Sequence, residues 1–271
     1  MASTPTVRTY LITGGARGIG CGLSRLLLQK GHRVFLLDNN ATELKHTAAK
    51  LSEKHKRGTD FEAATCNLRK PDEIKSAAEQ ASKLFDGKLD CLINNAAYTG
   101  GVGAAHVSEL SLEDWNASVE TNLTGPFLMT QGCLPMLSKS ASRQAGTVIH
   151  MSSTRAFMSE PNNEGYSTTK AGLIGMMQSM AISLGPQGVG VNAILPGWIN
   201  VANECKEADE KNMSWEEGLT EADNQWHPTG RVGKVEDILR AVEYLVDNDG
   251  VSGTEVVVDG GVTRKMVYPE E

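Results

Sequence analysis

The chain has 271 residues, 40% of them hydrophobic and 22% charged, which is enough apolar side chain for a packed core and argues against wholesale disorder. Its 26 Lys and Arg against 33 Asp and Glu give a formal net charge of −7 with no basic run or basic–aromatic stripe, so no nucleic-acid partner is expected. The longest apolar runs, such as 34–37, fall far short of the roughly 20 residues that span a bilayer, and 1–10 lacks an apolar signal core. The expectation is a cytoplasmic protein without a membrane partner. Cysteines at 21, 66, 91, 133 and 205 are odd in number and never spaced as CxxC, which points to reduced thiols rather than a disulfide framework or a metal site.

Short β-rich runs alternate with helical patterns. The first predicted strand, 8–13, leads into Thr13-Gly14-Gly15-Ala16-Arg17-Gly18-Ile19-Gly20 and then a helix striped by Ile19, Leu23, Leu26 and Leu27. Glycines there allow positive φ and close backbone approach to a pyrophosphate, and the helix N-terminus offers free N–H groups. The spacing is Gly-x-x-x-Gly-x-Gly, and its place between first strand and first helix is what makes it a candidate dinucleotide loop.

The second strand, 33–37, is followed by Asp38, 18 residues beyond Gly20. A carboxylate at this spacing accepts hydrogen bonds from the adenosine ribose and repels a 2′-phosphate, which favours NAD. Arg17 argues the other way, for NADP, because a guanidinium can grip that phosphate. The plain alternative for Asp38 is a solvated loop aspartate. Further strands are predicted at 61–66, 91–94, 147–151, 190–195 and 255–258. Between them lie helices marked by Ile74 to Leu84, by Ser111 as N-cap before Leu112, Trp115 and Val119, and by Ile238 to Leu245. Most strands are apolar on both faces. Seven such strands with interleaved helices predict one α/β domain, 1–271, built on a doubly wound parallel sheet. The acid-rich stretch 198–227, after the sixth strand, is a candidate substrate lid.

Ser152 and Ser153 follow the fifth strand; Tyr166 comes thirteen residues after Ser153, and Lys170 four later on the same helix face. A lysine ammonium beside a phenol predicts a tyrosine pKa below its usual value near 10. Such a phenol can exchange a proton with a carbonyl or alcohol oxygen while Ser153 hydrogen-bonds that oxygen. Alone, a Tyr-x-x-x-Lys pair is ordinarily a solvated helix face; the strand-end serine and the glycine loop set it apart.

Taken together, Thr13 to Gly20, Asn94-Asn95-Ala96-Ala97, Asn122, Ser153, Tyr166 with Lys170, Pro196-Gly197 and Asp259-Gly260-Gly261 resemble the short-chain dehydrogenase/reductase family over about residues 8–262. The resemblance implies a Rossmann fold and hydride transfer between a nicotinamide dinucleotide and a secondary alcohol or ketone. It implies that Tyr166 is the general acid/base, that Lys170 binds the nicotinamide ribose and tunes Tyr166, that Ser153 orients the substrate oxygen, and that Asn122 completes a proton relay. Cofactor contacts implied in the same way are Gly14, Arg17, Gly18, Ile19, Gly20, Asp38, Asn67, Leu68, Asn94, Ala96, Tyr166, Lys170, Pro196, Gly197 and Ile199. Three positions depart from the family pattern. Asn67 stands where an aspartate is usual, Ala97 where a glycine is usual, and Val201 where many relatives carry a threonine. The tail 262–271 resembles segments that pack across a subunit, which implies a homotetramer or homodimer.

The competing readings are a catalytically silent dinucleotide-binding relative and a different dinucleotide-fold enzyme such as a methyltransferase. His106, His150 and His227 lack ligand-like spacing, Arg155 reads as a surface ion pair, and the acids from Glu204 to Asp223 read as a solvated face. Pro126 lacks the N–H that would bond the Asn122 carbonyl, so a helix kink is expected there.

Overall fold

The seven predicted strand segments become seven strands: β1 (Thr9–Thr13), β2 (Arg33–Asp38), β3 (Phe61–Thr65), β4 (Cys91–Asn94), β5 (Thr147–Met151), β6 (Gly190–Pro196) and β7 (Glu255–Val258). They pair in parallel throughout, in the order β3-β2-β1-β4-β5-β6-β7, in a computed structural model that describes residues 6–141 and 144–266. β1, β4 and β5 are buried at every position, which is why they read as unbroken apolar runs rather than alternating ones.

Helices α1 (Gly18–Gln29), α2 (Ala41–Ser52), α3 (Pro71–Leu84), α4 (Leu112–Val119), α5 (Gly125–Leu137), α6 (Glu164–Ser183), α7 (Lys206–Lys211), α8 (Glu221–Trp226) and α9 (Val235–Asp247) connect the strands. On one face Leu23 and Leu27 of α1 and Ile238 and Val242 of α9 pack on Ile12 and Val34. On the other, Ile74 of α3, Met129 and Cys133 of α5 and Met177 of α6 pack on Leu11 and Val148. Strand order reverses between β1 and β4, and the crevice this leaves at their carboxyl ends is where an open α/β sheet receives a ligand. All five cysteines are unpaired, with Cys66, Cys91 and Cys133 buried. Among the described residues no helix is long and apolar enough to cross a membrane.

Local structure agrees with the sequence expectation at α4, and two further features, a π turn and α2, lie outside it. The Ser111 side chain caps α4 by accepting the Asp114 amide at 3.0 Å, as its position predicts. Just before Pro126, where a kink is expected, the helical path contains a π turn over Glu120–Thr124, in which the Gly125 amide donates to the Glu120 carbonyl. The turn absorbs the missing donor without ending the helical path, and Pro126 leaves the Asn122 carbonyl without its i+4 partner. The second feature is α2, whose stripe of Leu44, Ala48 and Leu51 is diluted by charged and polar neighbours. Its start is fixed by the Asn40 side chain, which accepts the Glu43 amide at 3.1 Å.

The 198–227 stretch carries α7 and α8 and folds back on itself through Asn200, whose side chain donates to the Trp215 carbonyl at 2.6 Å while its own carbonyl accepts the Trp215 indole N–H at 3.2 Å. Residues 262–264 form a short 3₁₀ turn, and the rest of the predicted tail, 267–271, lies outside the described residues.

Candidate active site

A cleft of about 670 Å³ opens at the carboxyl ends of β1, β2, β4, β5 and β6. Its floor is the β1–α1 turn. Gly14 adopts φ +66, and a Cβ there would stand 2.8 Å from the Ala96 Cα, so only glycine lets the two loops meet. Thr13 Oγ1 knits the same junction by accepting the Asn95 and Ala96 amides at 3.0 and 3.1 Å, while Asn95 Nδ2 donates to the Thr13 and Gly14 carbonyls. Gly14, exposed Arg17 and Ile19 line the cleft.

Asp38 ends β2 at the cleft rim. One carboxylate oxygen accepts the Ala16 amide at 3.0 Å and the other the Asn40 amide at 2.9 Å, which fixes the carboxylate and leaves lone pairs on both oxygens. Asn67, Leu68 and Ala96 extend the same wall, with Asn67 held by its side-chain oxygen accepting the Arg69 amide at 3.0 Å. Pro196, Gly197 and Val201 close the opposite side.

Ser153, Tyr166 and Lys170 line the same cleft. β5 delivers Ser153 and α6 delivers the other two. Helix and strand are tied by the Ser152 hydroxyl donating to the Lys170 carbonyl at 2.8 Å. Lys170 is 2% exposed, and its ammonium donates to the Met151 carbonyl at 2.7 Å, 5.3 Å from the centre of the Tyr166 ring. Burial lowers the Lys170 pKa to about 8.

The phenol does not follow the sequence expectation. Burial raises the Tyr166 pKa above its usual value, against a hydrogen bond with Ser153 and the charge of Arg155, which both favour the phenolate. The i, i+4 spacing does put the lysine on the tyrosine's face, but its ammonium is engaged with a backbone carbonyl and the tyrosine is half-buried.

Asn122 is buried beside this group rather than on the cleft wall. Its side-chain oxygen accepts the Tyr98 amide at 2.5 Å, and its NH₂ donates to the Tyr98 carbonyl and to Thr169 Oγ1, each at 3.2 Å. The asparagine therefore clamps Tyr98, which lines the cleft and whose hydroxyl donates to Asp114 at 2.7 Å. Asn95 and Thr121 are cleft residues outside the predicted contacts; for Asn95 the signal was its place directly past a strand end, the same signal that marked Ser153.

Four predicted cofactor contacts do not line the cleft. Strand alternation turns the Asn94 side chain away, beneath the sheet surface, where its NH₂ meets Thr130 Oγ1 at 3.2 Å and the His150 ring at 3.3 Å. Ile199 is buried in the core against Gly233, where an added Cβ would come within 2.4 Å of it. The Gly18 amide is committed to the Glu204 carbonyl at 2.7 Å. Gly20 serves close packing, because a Cβ there would stand 2.1 Å from the Gly14 carbonyl oxygen.

Among the residues set aside from the sequence, Arg155 forms an ion pair with Glu160, as read. His150 is fully buried, and His227 is buried with a ring nitrogen 2.9 Å from the Asp223 carbonyl. The acidic stretch is not uniformly solvated, since Glu204 is 7% exposed and pairs with Arg25. Among the described residues no group of three His, Cys, Asp or Glu side chains converges as a metal site would.

A family model described as enoyl-(acyl carrier protein) reductase matches residues 14–263. An uncharacterized oxidoreductase of Thermotoga maritima is 33% identical over 97% of this chain and 98% of its own length. The 3-oxoacyl-[acyl-carrier-protein] reductase FabG of Aquifex aeolicus is 32% identical over 94% and 97%. A solved structure of an apo SCOR enzyme from Clostridium thermocellum superposes with a TM-score of 0.80 at 28% identity, covering 97% of this chain and 96% of that one. The chain belongs to the short-chain dehydrogenase/reductase family of oxidoreductases.

Proposed function

We propose that the protein interconverts a secondary alcohol and a ketone with NAD(H), using Tyr166 as general acid and base. The observation that carries this reading is the meeting of Ser153, Tyr166 and Lys170 with the glycine turn and the Asp38 carboxylate on one cleft. The residues present fit a dinucleotide: a glycine cradle that a Cβ would fill, an anchored carboxylate with free lone pairs at the sequence spacing expected of a ribose ligand, and the start of α1, whose Ile19 lines the cleft. NAD is favoured over NADP because a 2′-phosphate would lie against Asp38, with exposed Arg17 as the feature that moderates the preference.

A nicotinamide dinucleotide bound in this cleft supplies or accepts the hydride. In reduction, Tyr166 gives its hydroxyl proton to the carbonyl oxygen as the C=O π pair moves onto that oxygen, and the Ser153 hydroxyl donates a second hydrogen bond to it. Burial raises the Tyr166 pKa, which keeps the hydroxyl proton available for that donation. Lys170, its pKa lowered to about 8 by burial, lines the same cleft with its ammonium 5.3 Å from the centre of the Tyr166 ring, and we assign it the cofactor ribose. Unpaired thiols fit a cytoplasmic setting, and exposed Phe127 and Ile182 on α5 and α6 fit a homotetramer or homodimer.

A panel of secondary alcohols with NAD⁺ and ketones with NADH, including a 3-oxoacyl thioester on acyl carrier protein as named for the Aquifex relative, tests this reading through nicotinamide absorbance. At least one pair is expected to turn over, faster with NADH than with NADPH. A protein that binds dinucleotide yet moves no hydride with any pair in either direction removes the reading.

A further inference from the structure

Within the acid-rich 198–227 stretch one carboxylate behaves unlike the rest. Glu204 is 7% exposed and reaches in three directions. Its carbonyl accepts the amide of Gly18, the first residue of α1, at 2.7 Å. Its amide donates to the Val201 carbonyl at 3.0 Å, closing a turn that sets Val201 on the cleft wall. Its carboxylate accepts from the Arg25 guanidinium, two turns further along α1.

The surroundings are shaped to admit this side chain. A Cβ on Gly22 would stand 2.8 Å from the Val235 methyls and 3.1 Å from Glu204 Oε1, so the glycine leaves room for the carboxylate against α1. Past Glu204 the stretch stays attached to the same half of the molecule. The Lys206 amide donates to the Glu43 carboxylate at 2.9 Å, and His46 and Lys50 of α2 hold Asp209 at 2.7 and 3.3 Å. A carboxylate buried this far is tolerated only where it is paired, and here the pair spans 179 positions of sequence between the glycine-loop helix and the stretch that follows β6.

We propose that Glu204 is a positioning residue for the dinucleotide site: its pair with Arg25 pins the 198–227 segment to α1 and, through the 201–204 turn, holds Val201 as a wall of the cleft. The effect on dinucleotide affinity rests on the reading of the cleft given above; the pinning does not. Because the Gly18 amide is bonded to a protein carbonyl, the position of this segment and the availability of amides at the α1 N-terminus are one variable. Whatever loosens Glu204 loosens both.

Amide hydrogen exchange on the full chain without dinucleotide, joined to NADH titration by fluorescence, tests the proposal. In Glu204→Ala, peptides spanning 16–24 and 198–213 are expected to exchange faster while those of β4 and β5 keep their rates. The NADH dissociation constant is expected to rise about tenfold, equivalent to about 1.4 kcal/mol. Arg25→Ala removes the partner from its more exposed side and is expected to reproduce both changes if Glu204→Ala folds poorly. Glu204→Gln keeps an acceptor for Arg25 and is expected to restore most of the protection. Unchanged exchange in 198–213 for both alanine variants overturns the proposal, as does an even rise across the whole chain, which would mark general destabilisation. Lost protection with intact NADH affinity overturns the link to the cleft. Failure of the unsubstituted protein to bind NADH would count against the dinucleotide reading itself, whereas the exchange measurement reads the anchor in either case.

Discussion

His150 should make the protein acid-sensitive, and the size of the effect can be worked out. It lies on β5 opposite Asn94 of β4, fully buried, with its ring 3.3 Å from the Asn94 NH₂. Burial first, and then the charge of Lys170, lower its pKa from the ordinary 6.5 to about 4. Below 6.5 the unfolded chain takes up a proton that the folded chain refuses, so stability is lost as pH falls and the loss levels off below 4. Linkage with these two values gives about 2 kcal/mol lost between pH 8 and pH 5, and about 3 kcal/mol by pH 4. Urea unfolding at pH 8, 6.5 and 5 measures it, with His150→Gln as the control. Glutamine can still accept from Asn94 but does not titrate, so the variant's stability should fall by about 2 kcal/mol less over that range. Parallel pH profiles for the two proteins would refute the reasoning, because they would mean that the buried ring does not exclude its proton.

Three further outcomes follow from particular contacts. Gly14→Ala forces a side chain into φ +66 and against the Ala96 Cα, so it should cost about 1–3 kcal/mol of stability by thermal melting and weaken NADH binding; a dissociation constant within twofold of the original would contradict the cradle. Asn122→Ala leaves the part-buried Tyr98 amide and carbonyl without their Asn122 partners, which should cost about 1 kcal/mol by the same measurement, and an unchanged melting temperature would contradict the clamp. Asp38→Asn removes the charge while keeping an acceptor, so the affinity ratio of NADPH to NADH should rise about tenfold or more, and a ratio that stays put would separate Asp38 from cofactor choice.

Parts of this molecule are legible in its sequence because their physics is local. Parallel strands covered on both faces must be apolar at consecutive positions, and central strands such as β1, β4 and β5 are visible as such runs. Ser111 announces α4 because a cap acts within one turn. Where the sequence misleads, a distant partner decides. The spacing of Tyr166 and Lys170 gives a shared helix face, but not the Met151 carbonyl that takes the ammonium or the burial that raises the phenol. Asn94 and Asn95 differ by one step along the chain, and that step moves a side chain from the polar layer under α5 to the cleft. Glu204 sits among solvated acids, and only Arg25, far away in sequence, distinguishes it. The diluted stripe of α2 shows the remaining limit, since a helix with one short buried face and a polar remainder carries too weak a period to stand out.

The central claim, that the Tyr166 hydroxyl is the proton carrier in hydride transfer between a dinucleotide and a carbonyl substrate, is tested most directly by Tyr166→Phe. The change removes one oxygen and leaves the ring, Ser153, Lys170 and the glycine turn in place. Steady-state turnover on whichever substrate the panel identifies should fall by about 10²–10⁴-fold, with the NADH dissociation constant held within about threefold. Turnover within tenfold of the unsubstituted protein would contradict the account, because the proton would then come from another group.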